Sequence, residues 1–152
     1  MNIYVETNFI LELALIQEQH ASCEEIMRLC ETGSARLVIP AYSLAEPYET
    51  LTRRHRQRKQ MKAALDDELK QLTRTPAYAH RLSGWQEVTA LLIDSADEEA
   101  KRLDSTRSRL LKIAVIIPLE ARTLEEAVRY QTVHRLSPQD ALVYAAVLLH
   151  LK

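Results

Sequence analysis

Three acidic residues stand where predicted strands end or predicted helices begin. Glu6 directly follows the apolar segment IYV, Glu46 comes six residues after Pro40, and Asp140 opens the apolar segment ALVYAAVLL. Neighbouring carboxylates raise one another's pKa values, so a cluster of them needs a positive charge to neutralise it. A hard divalent cation such as Mg²⁺ or Mn²⁺ prefers oxygen ligands of this kind. The three acids therefore predict a metal site, provided that the fold brings them together.

Each acid also has a purely local interpretation. Glu6 can be a loop acid near the N-terminus of the first helix, where the helix dipole favours negative charge. Glu46 stands three residues after Ser43, which is the spacing of a capping box. Asp140 stands at the same distance from Ser137. Taken singly, each acid is explained without any function, so the metal site depends on convergence in the fold.

The strands that would bring the acids together are short. Apolar patterning predicts them at residues 2–6, 36–40 and 112–119. Their apolar runs are continuous rather than alternating, which favours a parallel sheet covered on both faces. In such a sheet the carboxyl ends of the strands and the N-termini of the following helices share one edge, where ligands bind.

The first two helices are predicted from their caps. One spans residues 8–18 with Asn8 as a plausible cap. The next begins at Ser22 and ends before Gly33, the residue type typical of the position just past a helix.

The remaining helices are predicted from periodicity and capping boxes. An amphipathic repeat fills the middle of the chain, Pro76 interrupts it, and a further helix covers residues 86–111. We therefore expect one α/β domain with an inserted helical hairpin. Thr123 and Ser137 are the predicted caps of the last two helices. The repeat consists of Met61, Leu65, Leu69 and Leu72.

Composition excludes several classes of protein. The 152 residues are 47% hydrophobic, carry a net charge of −1 and contain two glycines, too few and too far apart for a phosphate-binding loop or a dinucleotide fingerprint. No apolar run is long enough to cross a bilayer, which favours the cytoplasm. Cys23 and Cys30 lie seven residues apart on one helical face, and we interpret them as reduced core residues.

One dense basic segment, RRHRQRK at residues 53–59, has two interpretations. A charge run on a helix is commonly a solvated face. It also begins less than two helical turns after Glu46, which favours contact with nucleic-acid phosphates at the proposed cleft. Such contacts give affinity without sequence choice. The residues predicted to bind nucleic acid are Arg53, Arg54, Arg56, Arg58 and Lys59.

Three segments together resemble the PIN-domain ribonucleases, many of which are toxins of bacterial toxin-antitoxin pairs. They are IYVETN, LVIPAYSLAE and LSPQDALVYAAVL. Their order matches the family: an acid and a small polar residue after the first strand, a glutamate opening the helix after the second, and a DA pair opening a late buried helix. The resemblance implies a three-layer fold with a short parallel sheet and flanking helices.

The resemblance also implies metal-dependent endonucleolytic cleavage of RNA. Glu6, Glu46 and Asp140 would be both the catalytic residues and the ligands of one or two Mg²⁺ or Mn²⁺ ions, with a metal-bound water as nucleophile. Thr7 and Asn8 match the family's polar pair and would orient ligands or water, or act as caps. An antitoxin protein is the implied partner.

Two departures from the family keep a second interpretation open. The family usually has aspartate in place of Glu6, and it carries another strand after the DA helix, so we expect residues 1–152 to lack the final strand segment. A catalytically impaired PIN-like module that binds nucleic acid or protein is therefore the alternative. A receiver-like phosphoacceptor domain ranks below both, because no paired acids follow the first strand. We further expect a homodimer, because the hairpin at residues 53–111 exposes many apolar positions.

Overall fold

The strands of the described chain form one three-stranded parallel sheet. The structure, a computed structural model, describes residues 1–151. Strands β1 (Asn2–Tyr4), β2 (Arg36–Pro40) and β3 (Val115–Ile117) lie in the order β1-β2-β3, and both neighbouring pairs are parallel. Residues 37–39 of the central strand are fully buried. The predicted α/β class and the short parallel sheet are confirmed.

Helices make up most of the remaining described chain. They are α1 (Thr7–Leu15), α2 (His20–Glu31), α3 (Ala41–Thr73), α4 (Pro76–Ala79), α5 (Trp85–Ile113), α6 (Ala121–His134) and α7 (Pro138–His150), with a 3₁₀ turn at His80–Leu82. Within residues 1–151, no helix is both long and apolar enough to cross a membrane.

The first helix boundary differs from the prediction. Strand β1 ends at Tyr4, and α1 begins at Thr7 with Glu6 in the N-cap position. The prediction of Asn8 as the cap is therefore wrong. The Asn8 side chain donates instead to the Glu6 carboxylate, a tie that sequence spacing alone did not distinguish from a cap.

The start of α2 also differs. The helix begins at His20, two residues before the predicted cap Ser22, which is therefore wrong. The N-cap residue is Gln19, whose N–H donates a hydrogen bond to Oε2 of Glu12 in the preceding helix at 2.8 Å. This contact with another helix is not visible in the local sequence pattern. Gly33 does follow the helix end, with φ of 77°, as predicted.

Helix α3 starts directly after β2, and this moves Glu46 relative to the prediction. The helix begins at Ala41, so Glu46 lies in its second turn and does not open it. Pro47 is accommodated inside the helix. Its missing N–H removes a bond only from the carbonyl of Ser43, which lies in the first turn.

Two boundaries near the end of the chain are corrected as well. The N–H of Ala114 bonds to the carbonyl of Leu110 at 2.8 Å, so α5 continues to Ile113 and the predicted strand at 112–119 shrinks to β3. The prediction of Thr123 as a cap is wrong, because α6 begins at Ala121.

The chain divides into two compact units, Met1–Pro47 with Arg102–Lys152, and Tyr48–Lys101. In the second unit, the Arg58 guanidinium bonds to the Glu99 carboxylate at 2.9 and 3.0 Å. Farther along, the Thr89 hydroxyl donates to Asp66 at 3.0 Å. As the residue number rises on α3 it falls on α5, so the two helices run antiparallel within this unit.

The first unit has a tightly packed core around β2. Ala146 of α7 packs against Val38 and Ile117 of the sheet. Burying an aliphatic side chain of this kind stabilises a fold by about 1.5–3 kcal/mol. Cys23 and Cys30 are buried free thiols, and burial raises the pKa of both, which confirms their assignment to the core.

Candidate functional site

Two of the three predicted acids lie at the carboxyl edge of the sheet. Glu6 follows β1, and Glu46 lies in the helix that follows β2. Because β1 and β2 are parallel neighbours, their carboxyl ends lie side by side. This edge is where open parallel sheets bind ligands.

A partly buried hydrogen bond joins the segments that carry these two acids. The Thr7 hydroxyl donates to Oε2 of Glu46, and Thr7 is only 7% exposed. Glu46 itself is half-buried. The bond ties the start of α1 to the second turn of α3, so the carboxylate of Glu46 is oriented toward the end of β1.

The Glu6 carboxylate has a neighbour of its own. Nδ2 of Asn8 donates to Oε1 of Glu6 at 2.8 Å, and both side chains are exposed. Thr7 and Asn8 thus each donate a hydrogen bond to a candidate carboxylate. Whether they support catalysis stays a prediction.

Asp140 lies at the start of α7, in a local cap. The N–H of Asp140 donates to the Ser137 hydroxyl at 3.1 Å, and that hydroxyl donates to Oδ2 of Asp140 at 2.7 Å. Ser137 is the N-cap, as predicted. The opposite end of α7 reaches β1, where the Tyr4 hydroxyl is hydrogen-bonded to Nδ1 of His150 at 2.9 Å.

The hydrogen bonds of the Asp140 side chain and N–H are local, both to Ser137, and do not reach the other two acids. His150 lies ten residues after Asp140, which corresponds to about 15 Å along a helix. Among residues 1–151, no group of three or more His, Cys, Asp or Glu side chains is placed to hold a metal ion. The convergence of all three acids stays a prediction.

The comparison with protein families decides the identity of the fold. A family model described as PIN domain matches residues 3–152. The chain belongs to the PIN-domain family. No curated protein and no solved structure matches it significantly. Membership of the family indicates nuclease-type activity; PIN domains generally depend on divalent metal ions and commonly bind RNA.

The acids of this PIN domain suit a divalent cation in their chemistry. In the described part of the chain, none of the three carboxylates is paired with a lysine or arginine, and each keeps an oxygen without a protein donor. One helical turn before Glu46, the fully buried Ser43 hydroxyl has no hydrogen-bond partner. Carboxylate oxygens without a cationic partner can serve as ligands of a hard cation, and an unpaired hydroxyl can bond to its water.

The basic segment of the PIN domain lies on α3 within the second unit. Arg58 is half-buried and occupied by its two bonds to Glu99, with a further bond to Ser95 at 3.2 Å. Arg53, Arg56 and Lys59 are exposed. The positive charge available to a ligand therefore comes from the neighbours of Arg58 more than from Arg58 itself.

Sequence reasoning missed two residues of this edge. Capping-box spacing explains Ser43 only as a cap, and no second histidine stands at ligand spacing from His150 in the sequence. The position of His150, in the last turn of the apolar helix, was readable in the sequence. Its contact with Tyr4 was not, because 146 residues separate the two.

Proposed function

We propose that this PIN domain is a Mg²⁺- or Mn²⁺-dependent endoribonuclease that hydrolyses RNA phosphodiester bonds. The observation that carries the proposal is the hydrogen bond from Thr7 to Glu46. It orients the Glu46 carboxylate toward the end of β1, the strand that Glu6 follows. Glu6, Glu46 and Asp140 would hold the cation. When bound, the cation supplies an activated water and stabilises the leaving oxygen.

The chain's own residues have distinct parts in this proposal. Thr7 fixes one oxygen of Glu46 and leaves the other free. Asn8 does the same for Glu6. Asp140 would keep its cap and contribute its second oxygen from the start of α7. The exposed residues of the basic segment would bind RNA phosphates without reading sequence.

The remaining parts of the proposal concern the layers of the fold, the oligomeric state, the protein partner and the cellular location. We propose that the fold has the three layers of its family, with the α3–α5 pair as an inserted hairpin. A homodimer formed through that hairpin, an antitoxin partner and a toxin role in the cytoplasm complete the proposal.

A second candidate function is a PIN-like module that binds nucleic acid or protein without cleaving it. The observation that favours it is the placement of Asp140: its carboxylate is engaged by Ser137, and no three acidic side chains within residues 1–151 are grouped to hold a metal ion. Glu6, where the family usually has aspartate, favours it too.

A cleavage assay separates the two functions. With labelled RNA and Mn²⁺, the wild type should cleave, and Glu46→Gln should lower the rate at least about tenfold, the smallest loss usual when a metal site is disturbed. Glu49→Gln is the matched control, because Glu49 is an exposed acid on the same helix. RNA that is bound but left intact by the wild type would establish the binding module.

A further inference from the structure

A cavity lies at the carboxyl end of β3, between the start of α6 and the end of α7. Its volume is about 230 Å³. It opens on the same sheet edge as Glu6, because all three strands are parallel. All of its walls belong to the first unit: Ile117, Pro118 and Leu149 are apolar, and Glu120, Arg122, Thr123 and His150 are polar.

Thr123 gives the cavity an unused hydrogen-bonding group. The residue is 3% exposed, and its hydroxyl has no hydrogen-bond partner within residues 1–151. Its backbone is satisfied, because its N–H bonds to the carbonyl of Glu120 at 3.0 Å. Because the Thr123 hydroxyl borders the cavity and no described protein group bonds to it, it is free to pair with a polar group inside the cavity.

The start of α6 adds a positive field at the same place. The helix has 14 residues, and no side chain caps it. The N–H groups of Ala121 and Arg122 have no partner in the described chain. The N-terminal N–H groups of a helix and its dipole together favour an anion.

Two further side chains of the cavity wall have polar groups that no described protein partner occupies. Arg122 lines the cavity and forms no ion pair among the described residues. The ring of His150 is held against β1 by the Tyr4 hydroxyl at Nδ1, and this leaves Nε2 without a protein partner. Among the residues that line the cavity, Glu120 is the one with an opposing charge, and it is exposed.

We propose that this cavity binds a phosphate group of the RNA strand, outside the candidate carboxylate site. The cavity is smaller than the roughly 300–1,000 Å³ pockets of drug-sized ligands, and it suits a single phosphate. The substrate class rests on the proposed function; the anion site rests on Thr123, the uncapped helix, Arg122 and His150. Free phosphate would bind through the same groups, and separate titrations with RNA and with inorganic phosphate distinguish the two ligands.

The test measures binding without cleavage, in EDTA. A fluorescently labelled eight-nucleotide RNA and inorganic phosphate are titrated separately into the full chain, with affinity from anisotropy and the site from amide NMR shifts. RNA should shift the Thr123 and Leu149 signals. Arg122→Ala should weaken RNA binding about tenfold, as loss of a charge-assisted contact does, and reduce the salt slope by about 0.7.

Thr123→Val is the sharper variant because it keeps the shape of the side chain. It should weaken RNA binding without lowering the melting temperature, since the hydroxyl has no partner in the fold. Thr132→Val, on an exposed face of the same helix, is the matched control and should bind as the wild type does. Glu120→Gln should strengthen binding by removing the opposing charge.

Three results would overturn the proposal. They are unchanged Thr123 and Leu149 signals at saturating RNA, wild-type affinity in both Arg122→Ala and Thr123→Val, and shifts caused by inorganic phosphate but not by RNA. Loss of RNA cleavage alone would count against the nuclease and leave this site standing. Cleavage that survives without the shifts would remove this site and leave the nuclease standing.

Discussion

At the scale of single residues, the Thr7 hydroxyl is the group that joins the two strand ends of the site. Replacing Thr7 with valine keeps its shape and leaves the half-buried Glu46 carboxylate without its donor. We expect Thr7→Val to lower the free energy of unfolding by about 1–3 kcal/mol, the usual loss when one partner of a hydrogen bond to a charged group is removed. Urea denaturation measures this change in the free energy of unfolding. Thr52→Val, on the exposed face of α3, should unfold like the wild type.

The candidate residues of the site are readable from the sequence, but their contacts are not. Thr7 and Asn8 were singled out as the polar pair beside Glu6. That Thr7 turns to Glu46 while Asn8 turns back to Glu6 depends on where α3 starts. Residue type and spacing define the candidates, whereas the backbone that follows each strand decides which candidates meet.

At the scale of elements, an ion-pair cluster ties α2 to the end of α5. The Arg109 guanidinium donates to both oxygens of Glu24 at 2.7 and 2.8 Å, and to Glu31 at 2.7 Å. The hydrogen bonds from Arg109, with its charge and that of His20, hold the pKa of Glu24 below its ordinary value of 4.5, against the opposing effect of burial. A carboxylate with a lowered pKa stabilises the fold above its unfolded pKa, and that contribution is lost as the pH falls through the folded value.

We therefore expect Glu24→Gln to be less stable than the wild type at pH 7 and to approach it as the pH falls below 4.5. Thermal unfolding followed between pH 7 and acid measures the difference. Glu18→Gln, at an exposed position between α1 and α2, should show no such convergence. A difference that stays constant with pH would show that the Glu24 pair contributes through packing and not through charge.

Elements were predicted well where local chemistry decides them. The bounds of β2 matched the prediction because a run of buried apolar residues ends at Pro40. The starts of α2 and α6 were missed because neither N-cap residue, Gln19 or Glu120, caps its helix with its own side chain. A capping residue is readable in the sequence only when the cap is made by its own side chain, as at Ser137.

At the scale of the whole molecule, the second unit leaves apolar side chains exposed on both of its long helices. Met61 and Leu65 of α3 are 55% and 40% exposed, and Val88 and Leu91 of α5 are 70% and 64% exposed. We expect this surface to pair with a second copy of the chain. The double variant Val88→Glu with Leu91→Glu should then be monomeric by light scattering where the wild type is dimeric.

A matched change on another helix is the control for the dimer. Val128 of α6 belongs to the first unit and is 65% exposed, so Val128→Glu adds the same kind of charge to a different unit and should leave the dimer intact. A wild type that is monomeric at tens of micromolar would contradict the prediction.

Convergence of the three acids is the feature that the sequence could not decide. A sequence places Asp140 at the start of a buried helix, but it does not specify which end of that helix lies at the carboxyl edge of the sheet. In the structure, His150 at the far end reaches β1, and Asp140 stays in its cap. Family membership and the Glu6 and Glu46 arrangement support a metal site, so the claim depends on whether a cation binds there.

The most direct test of that claim is the effect of Mn²⁺ on the melting temperature. A ligand bound only to the folded chain at 100 times its Kd stabilises it by about 2.7 kcal/mol, or about 5–10 °C for a domain of this size. We expect that rise in the wild type and its loss in both Glu46→Gln and Asp140→Asn, the second of which keeps a capping residue. A wild type that does not respond to millimolar Mn²⁺, or a Glu46→Gln variant that responds equally, would contradict the metal site.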